Sequence, residues 1–485
     1  MTLQPSPAEY RHDKPTDPGS TDTASTDPAP TETALPTDAV AALRRDVSGR
    51  LLFPQDLDYP AAVRGHNLAV THAPAVVVEA LSAADIAAAV RVAGEYGLPL
   101  GVQSAGHGPL GAQRGGVLIK TSALDRIEVA DGRMRAGAGV TWEAALKAAA
   151  VHGLAPVCGS GFSVGVVGYT LGGGIGPLGR LHGFTADTVR AFEVVTADGH
   201  VRHVDAGQHA DLFWALCGGR NGLAIVTEIE LELVAAPTVW GGRLIFDAAY
   251  SSQVLDVYAE WCPRLPDAVT TSLMLAAMPD LEAVPPPLRG RRIAQVNVAD
   301  LDDRGDGSDA RAYVDALLAV APPILEVVGS TTLVDHIAEH GDNAPPLPSY
   351  QVGRLLDRFG AATAAALLEV AGPTNELPLL GLQIRQLGGA LSRPRDNAVG
   401  GRDAAFLINI IGAPDPRLFG EAVPAAVETL LGALSPWLTG RSQANFHGPV
   451  TADQPLTMAW DDATVHRLAE VGRRYDPHEV FRRGY

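Results

Sequence analysis

Gly159-Ser-Gly161-Phe-Ser163-Val164-Gly165-Val-Val-Gly168-Tyr169-Thr-Leu-Gly172-Gly173-Gly174-Ile-Gly176-Pro-Leu-Gly179-Arg-Leu-His182-Gly183 holds ten glycines in 25 positions, against 52 in the 485 residues of the chain. Glycine loses more backbone freedom on folding than any other residue, so such density is sustained where the main chain must approach something closely. A large planar or phosphorylated cofactor is the natural occupant; a loop of tight turns would need far fewer. Two shorter patterns overlap this stretch. Gly174-Ile-Gly176-Pro-Leu-Gly179 matches the dinucleotide pattern G-x-G-x-x-G, which requires a strand running into its first glycine and a helix leaving it. Gly172 and Gly173 precede it, Pro177 interrupts it, and Asp198, at the spacing of a ribose-binding acid, reads as a hairpin residue. Gly161-Phe-Ser163-Val-Gly165 matches the nucleophile elbow G-x-S-x-G, but the glycines that follow make a poor helix. A serine hydrolase built on Ser163 stays open as a rival.

Upstream, residues 75–101 read as strand, helix and strand. Ser82 with Asp85 three residues on forms a capping box, and Gly97 ends the helix. The second strand runs into Gln103-Ser104-Ala105-Gly106-His107-Gly108-Pro-Leu-Gly111, a small-residue loop whose successive N–H groups can form an anion-binding nest. Residues 116–120 give a further strand. Asp131-Gly132 and Asp198-Gly199 each join two alternating runs and predict hairpins. Thr141 caps a helix to His152, and a long strand runs from Ile225 to Val234. From 238 to 438, proline-rich breaks and an acidic loop at 300–309 mark a second α+β domain, and a terminal helix covers 463–474.

Residues 1–38 contain eight Thr, seven Pro, seven acidic residues and one aromatic, too little apolar surface to offset ordering entropy, which predicts a disordered tail. A formal charge of −18 repels phosphate backbones and anionic lipid surfaces, so the expected partner is a small molecule rather than nucleic acid or membrane. Three cysteines at irregular spacing suit a reducing cytoplasm and make neither a disulfide framework nor a metal site. His200 and His203 face opposite sides of their strand, so no metal is expected there. Nothing here gives the oligomeric state.

Taken together, the loop around His107, the segment Ser163-Val-Gly-Val-Val-Gly-Tyr-Thr-Leu-Gly-Gly-Gly174, Val194-Val-Thr-Ala-Asp-Gly199, Asp211-Leu-Phe-Trp-Ala-Leu216, Arg385-Gln-Leu-Gly-Gly-Ala-Leu391 and Tyr475-Asp-Pro477 resemble the vanillyl-alcohol-oxidase and p-cresol-methylhydroxylase flavoproteins. The berberine-bridge-enzyme-like branch matches best. The resemblance spans about residues 51–485 and implies an α+β fold: a two-lobed FAD-binding domain of the PCMH type plus an α+β substrate domain with an antiparallel sheet. The FAD-binding domain would take 39–238 and return at 439–485; the substrate domain would take 239–438.

The resemblance also implies FAD attached covalently through His107. Gln103, Ser104, Ala105, Gly106, Gly108, Gly111, Gly161, Val164, Gly165, Gly168, Gly172, Gly173, Gly174, Asp187, Ile225 and Asn445 would contact or support it. Gln103 and Ala105 depart from the family's usual Arg and Gly. The family's second, cysteinyl link falls on Gly161, three residues from Cys158, so a single link is expected. Tyr169 would donate toward the ribityl and N1 side, and Val164 would gate oxygen. Gln443-Ala-Asn445 replaces a Tyr-x-Asn pattern, which leaves Gln443, Asn445, Gln383 and Arg385 as polar catalytic candidates. Alternation puts Gln383 and Arg385 on one face and Gln386 on the other. The implied activity is two-electron oxidation of an alcohol, sugar-like hydroxyl or natural-product intermediate, with molecular oxygen yielding hydrogen peroxide. A flavin-binding protein without turnover is the remaining alternative.

Overall fold

Val76–Glu79 and Val117–Lys120 are short β-branched runs with their first three residues buried, the pattern of parallel strands covered on both faces. They pair with each other and Val117–Lys120 pairs with Leu100–Gln103, all parallel, while Arg50–Leu52 closes the other edge antiparallel. The structure is a computed structural model describing residues 34–108, 111–220, 222–282, 284–302 and 306–481. Most of the expected tail, Pro109-Leu110 of the histidine loop and 303–305 of the acidic loop therefore lie outside the described residues. The helix Thr37–Asp46 takes up the last two residues of the expected tail.

The helix Ala83–Glu95 covers the parallel sheet with Ile86, Ala89 and Val90. Ser82 caps it, accepting from the Asp85 amide at 3.3 Å. The reciprocal half of the capping box is absent: the Asp85 carboxylate accepts instead from the Leu81 and Ser48 amides, at 2.8 and 2.7 Å, tying the N-terminal segment to the helix.

A five-stranded antiparallel sheet follows, in the order Ile127–Ala130, Arg133–Gly137, Ile225–Glu232, Val189–Val195, Val201–Asp205. Asp131 and Gly132 turn the first hairpin with φ of 50° and 73°. At the second, Asp198 binds Thr196, the His200 amide and Arg202, so it is committed to its turn, as its sequence context suggests. Thr141 makes no side-chain cap, and its helix stops at Ala150. A second correction concerns 166–171, read as a poor helix. Val166–Leu171 is a six-residue helix, because Val166, Val167 and Leu171 are buried in the main core and tertiary burial outweighs the propensity cost of Gly168.

The seven-stranded sheet takes all its strands from 238–412, in the order Pro323–Thr332, Thr238–Asp247, Arg292–Asp300, Val269–Ala277, Leu379–Gln386, Phe406–Gly412, Gln351–Leu356. Every pairing in it is antiparallel. Leu244, Leu273, Leu382 and Ile408 pack with the helices Ser251–Trp261 and Ala422–Ala433 in one apolar cluster. After residue 439 the chain returns to the first lobe, where Trp460, Leu468 and Val471 join its core and Trp460 Nε1 donates to the Gly218 carbonyl. Among the described residues no helix is long and apolar enough to cross a membrane.

Candidate cofactor and substrate site

The loop after Leu100–Gln103 lies backbone to backbone against residues 65–67. The His66 and Asn67 amides donate to the Ala105 and Gly106 carbonyls, at 2.9 and 3.0 Å. Gly106 has φ of +74°, and a Cβ on it would stand 2.6 Å from Gly65 Cα, so this approach requires glycine. Gln103 is buried beneath the loop, accepting from Lys120 Nζ at 3.0 Å, and its Nε2 has no partner. Ser104 Oγ lies against Gly165, joining this loop to the glycine-rich segment.

His107 stacks on His66 with ring centroids 3.6 Å apart and planes 17° from parallel. Its Nε2 is hydrogen-bonded to Ser163 Oγ at 3.0 Å. Burial, reinforced by His66, pushes the His107 pKa down to about 4, so the ring is neutral at physiological pH. The Ser163–His107 pair gives the hydrolase reading two of its three parts. No strand runs into Ser163, however, and no described carboxylate is hydrogen-bonded to His107.

The glycine-rich segment is a cradle that side chains would fill. A Cβ on Gly174, whose φ is +81°, would stand 2.5 Å from Tyr169 Cε1, and one on Gly172 would stand 1.9 Å from Asn445 Oδ1. Gly174→Ala combines a left-handed backbone with overpacking and is expected to cost roughly 2–4 kcal/mol, read as a lowered urea midpoint at unchanged slope. Gln443 Nε2 donates to the Gly172 carbonyl at 2.6 Å and Asn445 Nδ2 to the Tyr169 carbonyl at 2.8 Å. Each amide thus gives one hydrogen bond to the main chain, clasping the loop.

Tyr169 packs edge-on to Trp142 at 5.4 Å, and its hydroxyl is buried beneath Gly159 and Gly174 without a partner. Burial raises its pKa further above the phenol range. Asp187 accepts from the Phe184 amide, Asn397 and Arg402, ordering residues 183–187. Cys158 is fully buried, its thiol pushed up to about 12, while Gly161 packs against Val164 and the Asp342 carbonyl. Ile225 is buried, Val164 is half-buried, and Gly108, Gly111 and Gly168 are exposed.

Above this cradle stands the polar face of the seven-stranded sheet. Arg243, Asn297, Ser272 and Arg385 are successive cross-strand partners and form one row; Gln295, Met274, Gln383 and Asn409 form the next. Gln386 faces away, donating to the Cys262 carbonyl and accepting from Thr271. A pocket opens between the sheet and the glycine segment, lined by Ser160, Gly176, Ser272, Asn297, His336, Asp342, Gln383 and Arg385. At its centre Asp342 accepts from Arg385 at 2.7 Å and Ser160 at 2.6 Å, and Arg385 donates to Gln383 at 2.8 Å. Although enclosed by protein, the Asp342 side chain keeps 54% of its surface accessible, because it borders the pocket. Burial would raise its pKa, yet Arg385 and Ser160 outweigh that and hold it below the usual carboxylate value.

Residues 74–205 match the sequence profile of the FAD binding domain family. The (R)-6-hydroxynicotine oxidase of Paenarthrobacter nicotinovorans is 26% identical over 462 residues, 90% of this chain and 96% of that protein. Among solved structures, Physcomitrella patens BBE-like 1 has a TM-score of 0.79 at 20% identity, over 91% of this chain and 97% of that one. Residues 74–205 thus carry an FAD binding domain, and over nine-tenths of its length the chain is similar to an FAD-family oxidase in sequence and to BBE-like 1 in fold. Glucooligosaccharide oxidase from Acremonium strictum, described with a 6-S-cysteinyl, 8α-N1-histidyl FAD, shares the fold at a TM-score of 0.77 and 20% identity, covering 91% and 97% of the two chains.

One feature of the flavoprotein that its sequence did not disclose tests the fit of the cofactor. Arg220 is buried in a left-handed conformation, φ +64°, and donates to the Gly108 carbonyl at 3.1 Å. No described carboxylate pairs with it, and burial lowers its pKa to about 10. A buried cation without a counter-ion, beside a loop of exposed glycines, suits a ligand that carries phosphates. His66, Arg220, Arg243, His336 and Asp342 were all missed, since each meets the other lobe or strand only through a chain return of many residues, even where, as for His336, a near neighbour such as His340 is local.

Proposed function

We propose that the flavoprotein takes two electrons from a small organic substrate bearing an oxidisable hydroxyl, in the pocket between Asp342 and the glycine cradle. The observation that carries this reading is Asp342: an ionised carboxylate, fixed by Arg385 and Ser160, bordering the pocket beside the cofactor loops. Bound FAD supplies the electron acceptor for the C–H bond. Asp342 accepts the hydroxyl proton, Arg385 holds that carboxylate ionised and oriented, and Gln383 fixes the Arg385 guanidinium through its Nε. We infer that His107 carries the flavin covalently, through a neutral ring held by His66 and Ser163; the histidyl linkage of glucooligosaccharide oxidase supports this. Molecular oxygen as the final acceptor, giving hydrogen peroxide, is supported by the relatives being named oxidases. Three free, buried cysteines fit a reducing compartment.

The direct test is the visible spectrum. The purified protein should absorb near 450 nm, as oxidised flavins do, bleach anaerobically with its substrate, and release peroxide when air is admitted. The Ser163–His107 hydrogen bond is the one observation favouring hydrolysis. A colourless protein inactivated by a serine-directed phosphonate would replace the flavin reading with that one.

A further inference from the structure

We propose that the pocket selects a substrate carrying a carboxylate, seated between Arg243 and His336. This rests on the reading above that oxidation takes place in this pocket.

Arg243 lies in Thr238–Asp247, directly opposite Asn297, whose side chain lines the pocket. Its guanidinium is half-buried, its Nε is wholly buried, and among the described residues it has neither a hydrogen bond nor a paired carboxylate. The neighbouring carboxylates are otherwise engaged or turned away. Asp342, close enough to Arg243 to interact electrostatically, is already bound by Arg385 and Ser160. Glu339 turns outward, with 64% of its side chain exposed.

The helix Leu333–His340 supplies the second donor. It packs against Thr238–Asp247 and brings His336 and His340 one turn apart, with ring centroids at 5.2 Å. Gly242 permits that approach, since a Cβ there would meet His340 Nε2 at 3.3 Å and the Val327 carbonyl at closer range. His336 lines the pocket, is 6% exposed, and its Nδ1 has no partner. Burial, His340 and Arg243 together push its pKa down to about 4, so the imidazole is neutral and offers an N–H without adding charge.

Buried polar atoms in native proteins are almost always satisfied, so the orphaned Arg243 Nε, with the unpartnered His336 Nδ1 a donor in the tautomer protonated there, points to a missing acceptor. Beside an arginine to which no described carboxylate is hydrogen-bonded, that acceptor is an anion. A planar carboxylate matches the guanidinium fork through paired N–H groups, whereas a neutral hydroxyl could accept from only part of it and bring no opposite charge. The site thus divides its labour: Arg243 and His336 hold the substrate's carboxylate, and the Asp342–Arg385 pair faces its reacting end.

Titration calorimetry of the flavin-loaded protein with benzoate and with benzamide tests this, because the two probes share a shape and differ in charge. Benzoate should bind at least about tenfold tighter. Arg243→Gln should abolish the preference, and Arg243→Lys should retain part of it. Equal affinities, no binding of benzoate, or a preference that survives in Arg243→Gln would each overturn the proposal. A benzoate preference in a protein that never bleaches with any substrate would sink the oxidation reading and leave the anion site standing. Bleaching by neutral alcohols without a benzoate preference would do the reverse.

Discussion

His107→Ala should move the flavin from protein to solution. After acid precipitation the wild-type pellet is expected to stay yellow, while the variant releases essentially all its colour to the supernatant. Forming a bond to carbon requires a free lone pair on the ring, and His107 has one. Its pKa of about 4 means that well under 1% of the rings are protonated at pH 7. The ring is also oriented before any cofactor arrives, by the His66 stack and the Ser163 hydrogen bond. Gly106, at φ +74°, turns the chain so that the following residue reaches this position. No second attachment is expected to compensate. Cys158 has no exposed surface, and its thiol is held at about 12, far from the thiolate that would react. A wild-type pellet that bleaches on washing would remove the covalent assignment, and a flavin-labelled peptide containing Cys158 would remove the single-link reading.

Local chemistry explains which parts of this fold could be read from the chain. The strands at 76–79 and 117–120 are β-branched runs, and both hairpins turn on Asp-Gly pairs that few other residues could replace. The glycine-rich segment marked a place of close main-chain packing, because only glycine avoids the clashes with Tyr169 and Asn445. The sequence misled where tertiary burial decided. Val166–Leu171 is helical because its valines reach the core, and the sequence did not show that the returning chain would bring Gln443 and Asn445 to the carbonyls of Gly172 and Tyr169. Asp342 was illegible for a different reason. Gly341-Asp342-Asn343 reads as a turn, and nothing nearby shows that Ser160, 182 residues upstream, and Arg385, 43 residues downstream, converge on it. That Gln383 and Arg385 share one face of their strand was legible because strand alternation is local, whereas their neighbour Asp342 was not.

That neighbour carries the largest expected kinetic effect. Asp342→Asn keeps the size of the side chain and a carbonyl oxygen that can still accept from Ser160 and Arg385, so the fold should survive with a small change in stability. The variant loses the ability to take a proton. General-base catalysis typically contributes 10²–10⁴-fold, so kcat measured by anaerobic flavin reduction should fall by about 10²–10³ while the 450 nm band is retained. Removing the carboxylate also leaves Arg385 without its counter-ion, so binding of neutral substrates should weaken more than binding of anionic ones. The pH dependence separates these two effects. Asp342 must be ionised to act, and Arg385 and Ser160 hold its pKa below the usual carboxylate value despite burial. Activity governed by this group is therefore present above that pKa and lost as the pH falls through it, which places the acid limb of the wild-type reductive rate below the pH at which an ordinary aspartate titrates. In Asp342→Asn that limb should vanish along with most of the rate. A variant that keeps both the wild-type rate and its acid limb would show that the proton leaves by another route, and the role assigned to the Asp342–Arg385 pair would fall.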